Sequence, residues 1–151
     1  MPDFDLQKFL PYRLSVVAEQ VSHAFAERYA SQFHLTIPEW RVIAHLGSAA
    51  SLSLTEIGQR TEMDKVKVHR AVARLVASRQ VKRKISNEDR RIVLLSLSAT
   101  GRTVYEKIVP LALHLENELI AGFNQKEYEQ LTSLLAKLEQ RIAGISSAGR
   151  I

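Results

Sequence analysis

The chain has 151 residues, no cysteine and a formal net charge of +5, with 46% hydrophobic and 25% charged residues. That length suits a single domain able to bury its own core, and the composition is that of a soluble globular protein. Absence of cysteine excludes disulfides, Cys-based zinc sites and a thiol redox sensor. No apolar run approaches the roughly 18 residues of a membrane span. The first residues lack a basic region followed by an apolar one, so a secretory signal is not expected and the cytoplasm is the expected location. The charge is unevenly placed. Between Arg60 and Arg102 there are 12 Lys/Arg and 4 Asp/Glu, while the other 108 residues carry 9 and 12. A basic middle between mildly acidic ends points to a polyanion partner more strongly than a high overall pI does.

Along the chain, residues 6–33 carry Phe9, Leu10, Leu14, Val17, Val21, Phe25, Tyr29 and Phe33 at spacings of three and four, which predicts one long amphipathic helix. Pro11 either kinks it or marks its true start. Thr36 and Glu39 are spaced as a capping box with Pro38 in the first turn, opening a helix that ends at Gly47. Ser53 and Glu56 repeat the capping pattern and open a short helix to about Arg60. Asp64 is placed to cap a third helix over 65–78. Two short helices joined by a tight turn, the second strongly basic, have the pattern of a helix-turn-helix.

In that second helix Val68, Ala71, Val72 and Leu75 share one face, leaving Lys65, Lys67, His69, Arg70 and Arg74 outside it, among small residues. Such a face suits a DNA major groove, where Lys and Arg donate to guanine O6 and N7. An ordinary core helix with a solvated basic side would look the same. The next stretch favours the groove: QVKRKI and RIVLLSLS are β-rich runs separated by the turn-like SNEDR, which predicts a hairpin. A hairpin directly after a helix-turn-helix is a wing, and its tip carries Asp89, Arg90 and Arg91. Phosphate contacts there would fix register rather than read sequence. Asp89 can hold the Arg91 guanidinium by a charge-assisted bond.

Ser98 then caps a helix over 99–123 that contains Pro110, where a kink is expected. Asn124 and Glu127 cap a last helix with Tyr128, Leu131, Leu134, Leu135, Leu138 and Ile142 on one face, and residues 146–151 have the look of a frayed tail. The fold class is thus mainly α (α+β): a winged helix-turn-helix lobe at 36–98, with helices at 6–33 and 99–145 that carry more apolar stripe than the lobe needs. The economical use of that surplus is a dimer interface within a single domain spanning 1–151.

These residues resemble the MarR (multiple-antibiotic-resistance regulator) family. LTIPEWRVIAHL at 35–46 is similar to the family's second-helix opening. LTEIGQRTEMDKVKVHRAVARLVASRQVKRKI at 54–85 is similar to its helix-turn-helix and first wing strand. EDRRIVLLSLSATGR at 88–102 matches its most specific signature, an Asp and Arg on the wing leading through a Leu-rich strand into a capped helix. The resemblance implies a homodimeric regulator of transcription, usually a repressor, that binds a palindromic duplex operator and is released by a small molecule. It also implies an effector pocket where the first two helices meet the DNA-binding lobe, with Arg13, Ser15, Trp40, Arg41 and His45 as candidates. Aromatic carboxylates, phenolics or acyl-CoA thioesters are the implied ligands. Each candidate also has a plainer role, Trp40 in packing and the others at the surface. Gln80 departs from the family by standing where a glycine is common between helix and wing. Val66, Lys67 and His69 depart by standing where small hydroxyl residues are frequent.

Enzymatic chemistry finds no support. The five histidines are scattered, no metal-ligand spacing occurs, and the six glycines form no phosphate loop. Neither a metal nor another cofactor is expected. Besides a specific regulator, two functions fit the pattern: a winged helix that binds a protein partner, and a nonspecific nucleic-acid binder.

Overall fold

The computed structural model describes residues 4–148, and the chain divides after Ala112 into two compact units.

The first unit begins with a 3-10 turn, Leu6–Lys8, capped by Asp5, whose carboxylate accepts the Gln7 N–H at 3.0 Å. Phe9 is extended, and α1 runs Leu10–Phe33 with Pro11 in its first turn. The single helix expected from residue 6 is therefore two pieces. Pro11 has no N–H and would crowd the carbonyl four residues back, so it opens the helix instead of lying within it. Helix α1 ends at His34, a left-handed residue (φ 54°) whose N–H reaches the Ala30 carbonyl.

The capping residues perform as their spacing predicts. In α2, Ile37–Gly47, Thr36 and Glu39 form the full capping box, with the Thr36 N–H donating to the Glu39 carboxylate at 2.7 Å. Ser53 and Glu56 do the same for α3, Leu54–Thr61. The Ser53 backbone and hydroxyl hydrogen bonds hold the Glu56 carboxyl below its ordinary pKa. Asp64 caps α4, Lys65–Ala77, by accepting the Lys67 N–H at 2.8 Å.

The joint after α4 is a Schellman motif: the Arg79 N–H donates to the Val76 carbonyl and the Gln80 N–H to that of Leu75. Its left-handed residue is Arg79 (φ 60°), one position before Gln80. The left-handed site thus falls on Arg79 and not on Gln80, where the family commonly has a glycine, because the bond pattern assigns it to the residue after the helix cap. Arg79→Gly should relieve about 0.5–1 kcal/mol of left-handed strain and raise Tm by roughly 2–3 °C in a thermal melt.

Strands β2 (Val81–Ile85) and β3 (Val93–Leu97) form the expected hairpin, paired from Val81↔Leu97 to Ile85↔Val93. A two-residue strand, β1 (Leu52–Ser53), pairs with the other edge of β3, giving the order β1-β3-β2. Helix α5, Ala99–Ile120, runs unbroken through Pro110. Ser98 lies at its start and clamps the joint. Its N–H donates to the Gln80 carbonyl at 2.9 Å, its hydroxyl donates to the Arg79 carbonyl at 2.7 Å, and its Oγ accepts the Gly101 N–H at 3.0 Å. The core of this unit joins Tyr29 of α1, Val42, Ile43 and Leu46 of α2, Ile57 of α3, the buried face of α4, Leu95 of β3 and Ile108 of α5.

The second unit begins at Leu113 and contains the end of α5 and all of α6, Gln125–Ala148. Asn124 and Glu127 cap α6 reciprocally, at 2.8 and 3.0 Å. The tail expected to fray from residue 146 begins inside α6, and residues 149–151 lie outside those described. Along α6, Leu131, Leu134, Leu135, Ile142 and Ile145 are all exposed.

Candidate nucleic-acid interface

Helix α4 is anchored by Val68, Ala71, Val72 and Leu75, each buried. A period of 3.6 residues then turns Lys65, Val66, Lys67, His69, Arg70, Ala73 and Arg74 outward, and all are exposed. Lys67 lies 3.6 Å from the Asp64 carboxylate, which the Lys67 backbone N–H holds below its ordinary pKa. Arg74 is on the flank towards α2, its guanidinium 3.8 Å from the buried carboxylate of Glu39. The structure therefore gives Arg74 a partner on α2, which the sequence grouping with the groove-facing residues did not foresee. Lys65 and His69 line a crevice of about 330 Å³ between α3 and α4, together with Thr55, Gln59 and Met63.

The wing tip is built by two side chains. Ser86 Oγ accepts the N–H groups of Glu88 and Asp89 at 3.2 and 3.4 Å. Asp89 Oδ1 accepts from the Arg91 backbone N–H at 2.9 Å and from Arg91 Nε at 3.3 Å. Arg90 and Arg91 are exposed, so a fixed guanidinium stands at the tip with its terminal nitrogens outward. Ser86 was not singled out from the sequence, although a serine three residues before an acid in a turn is a local capping signal. Lys82, Arg83 and Lys84 of β2 are likewise exposed cations of the wing. As β2 is an edge strand, these charges also discourage edge-to-edge pairing. Arg102, by contrast, is structural. It donates to the Gly47 carbonyl at 2.8 Å and lies 5.5 Å from the centre of the Tyr105 ring.

The five effector candidates are only partly brought together. Ser15 and Arg41 line a cleft of about 320 Å³ between α1 and α2, with Glu19, Ser22, His23 and Ile37. There Arg41 donates to Ser22 Oγ at 3.5 Å. Arg13 is exposed on α1 and does not line the cleft. Trp40 packs into an aromatic cluster, its ring centre 5.6 Å from Phe25, 5.8 Å from Tyr29 and 6.4 Å from Tyr105. Burial, reinforced by Glu39 and opposed by Arg41, pushes the Tyr29 hydroxyl up to about 12, so it stays neutral. His45 also lies outside the cleft, its pKa lowered by burial and then by the Arg60 charge. The folded chain thus resists a proton that the unfolded chain accepts. The stability contributed by neutral His45 is complete above pH ~6.5 and is lost as pH falls through the lowered value. Melts across that acid range should show a declining Tm for wild type and a shallower decline for His45→Gln.

Among the described residues no cluster of three or more His, Asp or Glu could hold a metal, and no helix is long and apolar enough to cross a membrane.

A family model described as MarR family matches residues 34–92, which covers the helix-turn-helix and most of the wing. The HTH-type transcriptional regulator BilQ of Clostridium symbiosum is 24% identical over 96 residues, spanning 64% of this chain and 67% of the relative. Among solved structures, a MarR/EmrR family transcriptional regulator from an Acinetobacter species superposes with a TM-score of 0.85 at 26% identity, over 93% of this chain and 99% of that one. A mutant MarR from E. coli complexed with operator DNA superposes with a TM-score of 0.78 at 25% identity, over 90% and 99%. The first two of these relatives are named as transcriptional regulators. Helices α3 and α4, strand β2 and the Asp89–Arg91 tip thus fall within the matched region, β3 follows directly after it, and the chain has the winged helix-turn-helix fold of these MarR-family transcriptional regulators.

Proposed function

We propose that the protein is a homodimeric repressor that binds a palindromic duplex operator in the cytoplasm and releases it when a small molecule binds. The observation that carries this reading is the pairing of an exposed basic face on α4 with a wing whose Arg91 is held in place by Asp89. The face would enter the major groove and the wing would contact the adjacent backbone or minor groove, with Lys65, Lys67, His69, Arg70, Arg90 and Arg91 as the contacting residues. The relative solved with operator DNA supports duplex DNA as the partner.

Exposed apolar side chains supply the argument for a dimer. The first unit leaves Phe4, Leu6, Phe9, Leu10, Leu14 and Val17 exposed near its start, and the second leaves the α6 row uncovered. Apolar surface of that extent marks a contact with another chain. A two-fold dimer would present its α4 helices to half-sites about one DNA turn, ~34 Å, apart.

For the effector, the α1–α2 cleft has the size of a small-ligand site, and the Arg41 guanidinium can bind a carboxylate through two nitrogens. An aromatic carboxylate is the first choice, with phenolics and acyl-CoA thioesters next. The test is a thermal-shift screen of these compounds followed by a gel shift on the protein's own upstream DNA. A true effector at about 100 times its Kd should stabilise the protein by about 2.7 kcal/mol and release the DNA. Arg41→Ala should keep DNA binding and lose both responses. Compounds that act equally on Arg41→Ala would place the effector elsewhere.

A further inference from the structure

The outward face of α4 has an apolar centre. Val68, Ala71, Val72 and Leu75 define the buried side, and the helical period puts Val66 almost opposite their midpoint, beside Arg70 and Ala73. Lys65 and His69 lie on one flank of this line, Lys67 and Arg74 on the other. Val66 is 65% exposed, in the first full turn of the helix, on a surface otherwise made of Lys, Arg, His69 and the small Ala73. Its two lysine neighbours do not cover it, and no described side chain of the core packs on it. A β-branched side chain there has little freedom to turn away, since a helix leaves valine essentially one χ1 rotamer.

An exposed valine at that position has no role in the fold, and it can neither donate nor accept a hydrogen bond. In the major groove one feature of a base edge rewards such a group, the C5-methyl of thymine. The N-terminal residues of the second helix of a helix-turn-helix are those that meet base edges. We propose that Val66 is a specificity-determining residue that packs against a thymine methyl in each half-site, while the flanking cations hold phosphates and guanines. The proposal rests on the DNA-binding reading above and adds the base that one residue reads.

The two can be tested together and told apart. The full-length protein is used to select binding sites from a random duplex library. Each thymine of the selected half-site is then replaced, one at a time, by deoxyuridine, which removes only the methyl group. Affinities are measured by fluorescence anisotropy for wild type and for Val66→Ala, an exposed change whose folding a thermal melt checks. Loss of the methyl at one position per half-site should weaken wild type by about fourfold, the worth of one buried methyl-sized group. Val66→Ala should be weaker by a similar factor on the thymine duplex and indifferent to deoxyuridine there. A selected sequence with no methyl-sensitive thymine, or equal methyl sensitivity in Val66→Ala, overturns the role of Val66 alone. Failure to select any sequence overturns the regulator reading with it.

Discussion

Gly101→Ala should lower the melting temperature by roughly 6–12 °C, against the usual direction of such a change. In a helix interior, Gly to Ala ordinarily stabilises by about 0.5–1 kcal/mol. At Gly101 an added Cβ would come 2.0 Å from the carbonyl oxygen of Gln80 and 3.0 Å from its carbon. Those are backbone atoms, held by the Ser98 N–H and by the Schellman bonds behind them, so they have little room to yield. Overpacking of that kind costs about 3 kcal/mol at the upper end of its usual range, which a chain of this size registers as the stated drop in Tm. DNA affinity should fall too, because the clash moves the start of β2 relative to the end of α4. Gly144 provides the control. Nothing lies within 4 Å of its missing Cβ on α6, so Gly144→Ala should raise Tm slightly. Calorimetric melts of the two variants at one protomer concentration decide the matter, and a stabilised Gly101→Ala would mean the joint is looser than described.

Removing a negative charge from the wing should weaken DNA binding. Asp89 is an acid beside a polyanion, and simple electrostatics predicts that Asp89→Ala binds DNA more tightly. The geometry predicts the reverse, because Asp89 Oδ1 accepts both the backbone N–H and the Nε–H of Arg91 and so aims the guanidinium. Freed, Arg91 must be ordered again on each binding event, at a cost in side-chain entropy. Arg91→Ala should lose about 10- to 100-fold in affinity, the range for a well-placed arginine contact. Asp89→Ala should lose a smaller factor, and the double variant should be no weaker than Arg91→Ala. Additive losses would show that the two residues act separately, and a gain in Asp89→Ala would show that Asp89 does not position Arg91.

What could be read from the sequence was local. The caps at Thr36, Ser53, Asp64 and Asn124 each depend on residues at most three positions away, and each forms as spaced. The buried face of α4 and the hairpin followed from periods of 3.6 and 2. What was missed depends on distant partners. Strand β1 exists only because Leu52 and Ser53 meet Leu95 and Leu94 of β3, some forty positions on. Arg74 finds Glu39 across two helices, and Arg102 finds the Gly47 carbonyl. Gln80 and Arg79 differ by one residue in a turn whose register depends on where α4 ends. The effector candidates were the least legible. A cleft is made by two helices crossing, and of the five candidates that the family resemblance implied only Ser15 and Arg41 line this one, beside Ser22 and His23.

On the proposed reading, the exposed face of α4 reads a particular duplex and the wing fixes its register. The most direct measurement is the affinity of the full-length protein for its own upstream DNA and for a scrambled duplex of equal length, at one physiological salt concentration. The expected result is a preference of at least ~10³-fold for the upstream sequence, reduced for Lys67→Ala and Arg91→Ala while the scrambled duplex remains weakly and salt-sensitively bound. Equal affinity for the two duplexes, or variants that bind the upstream sequence as wild type does, would contradict it.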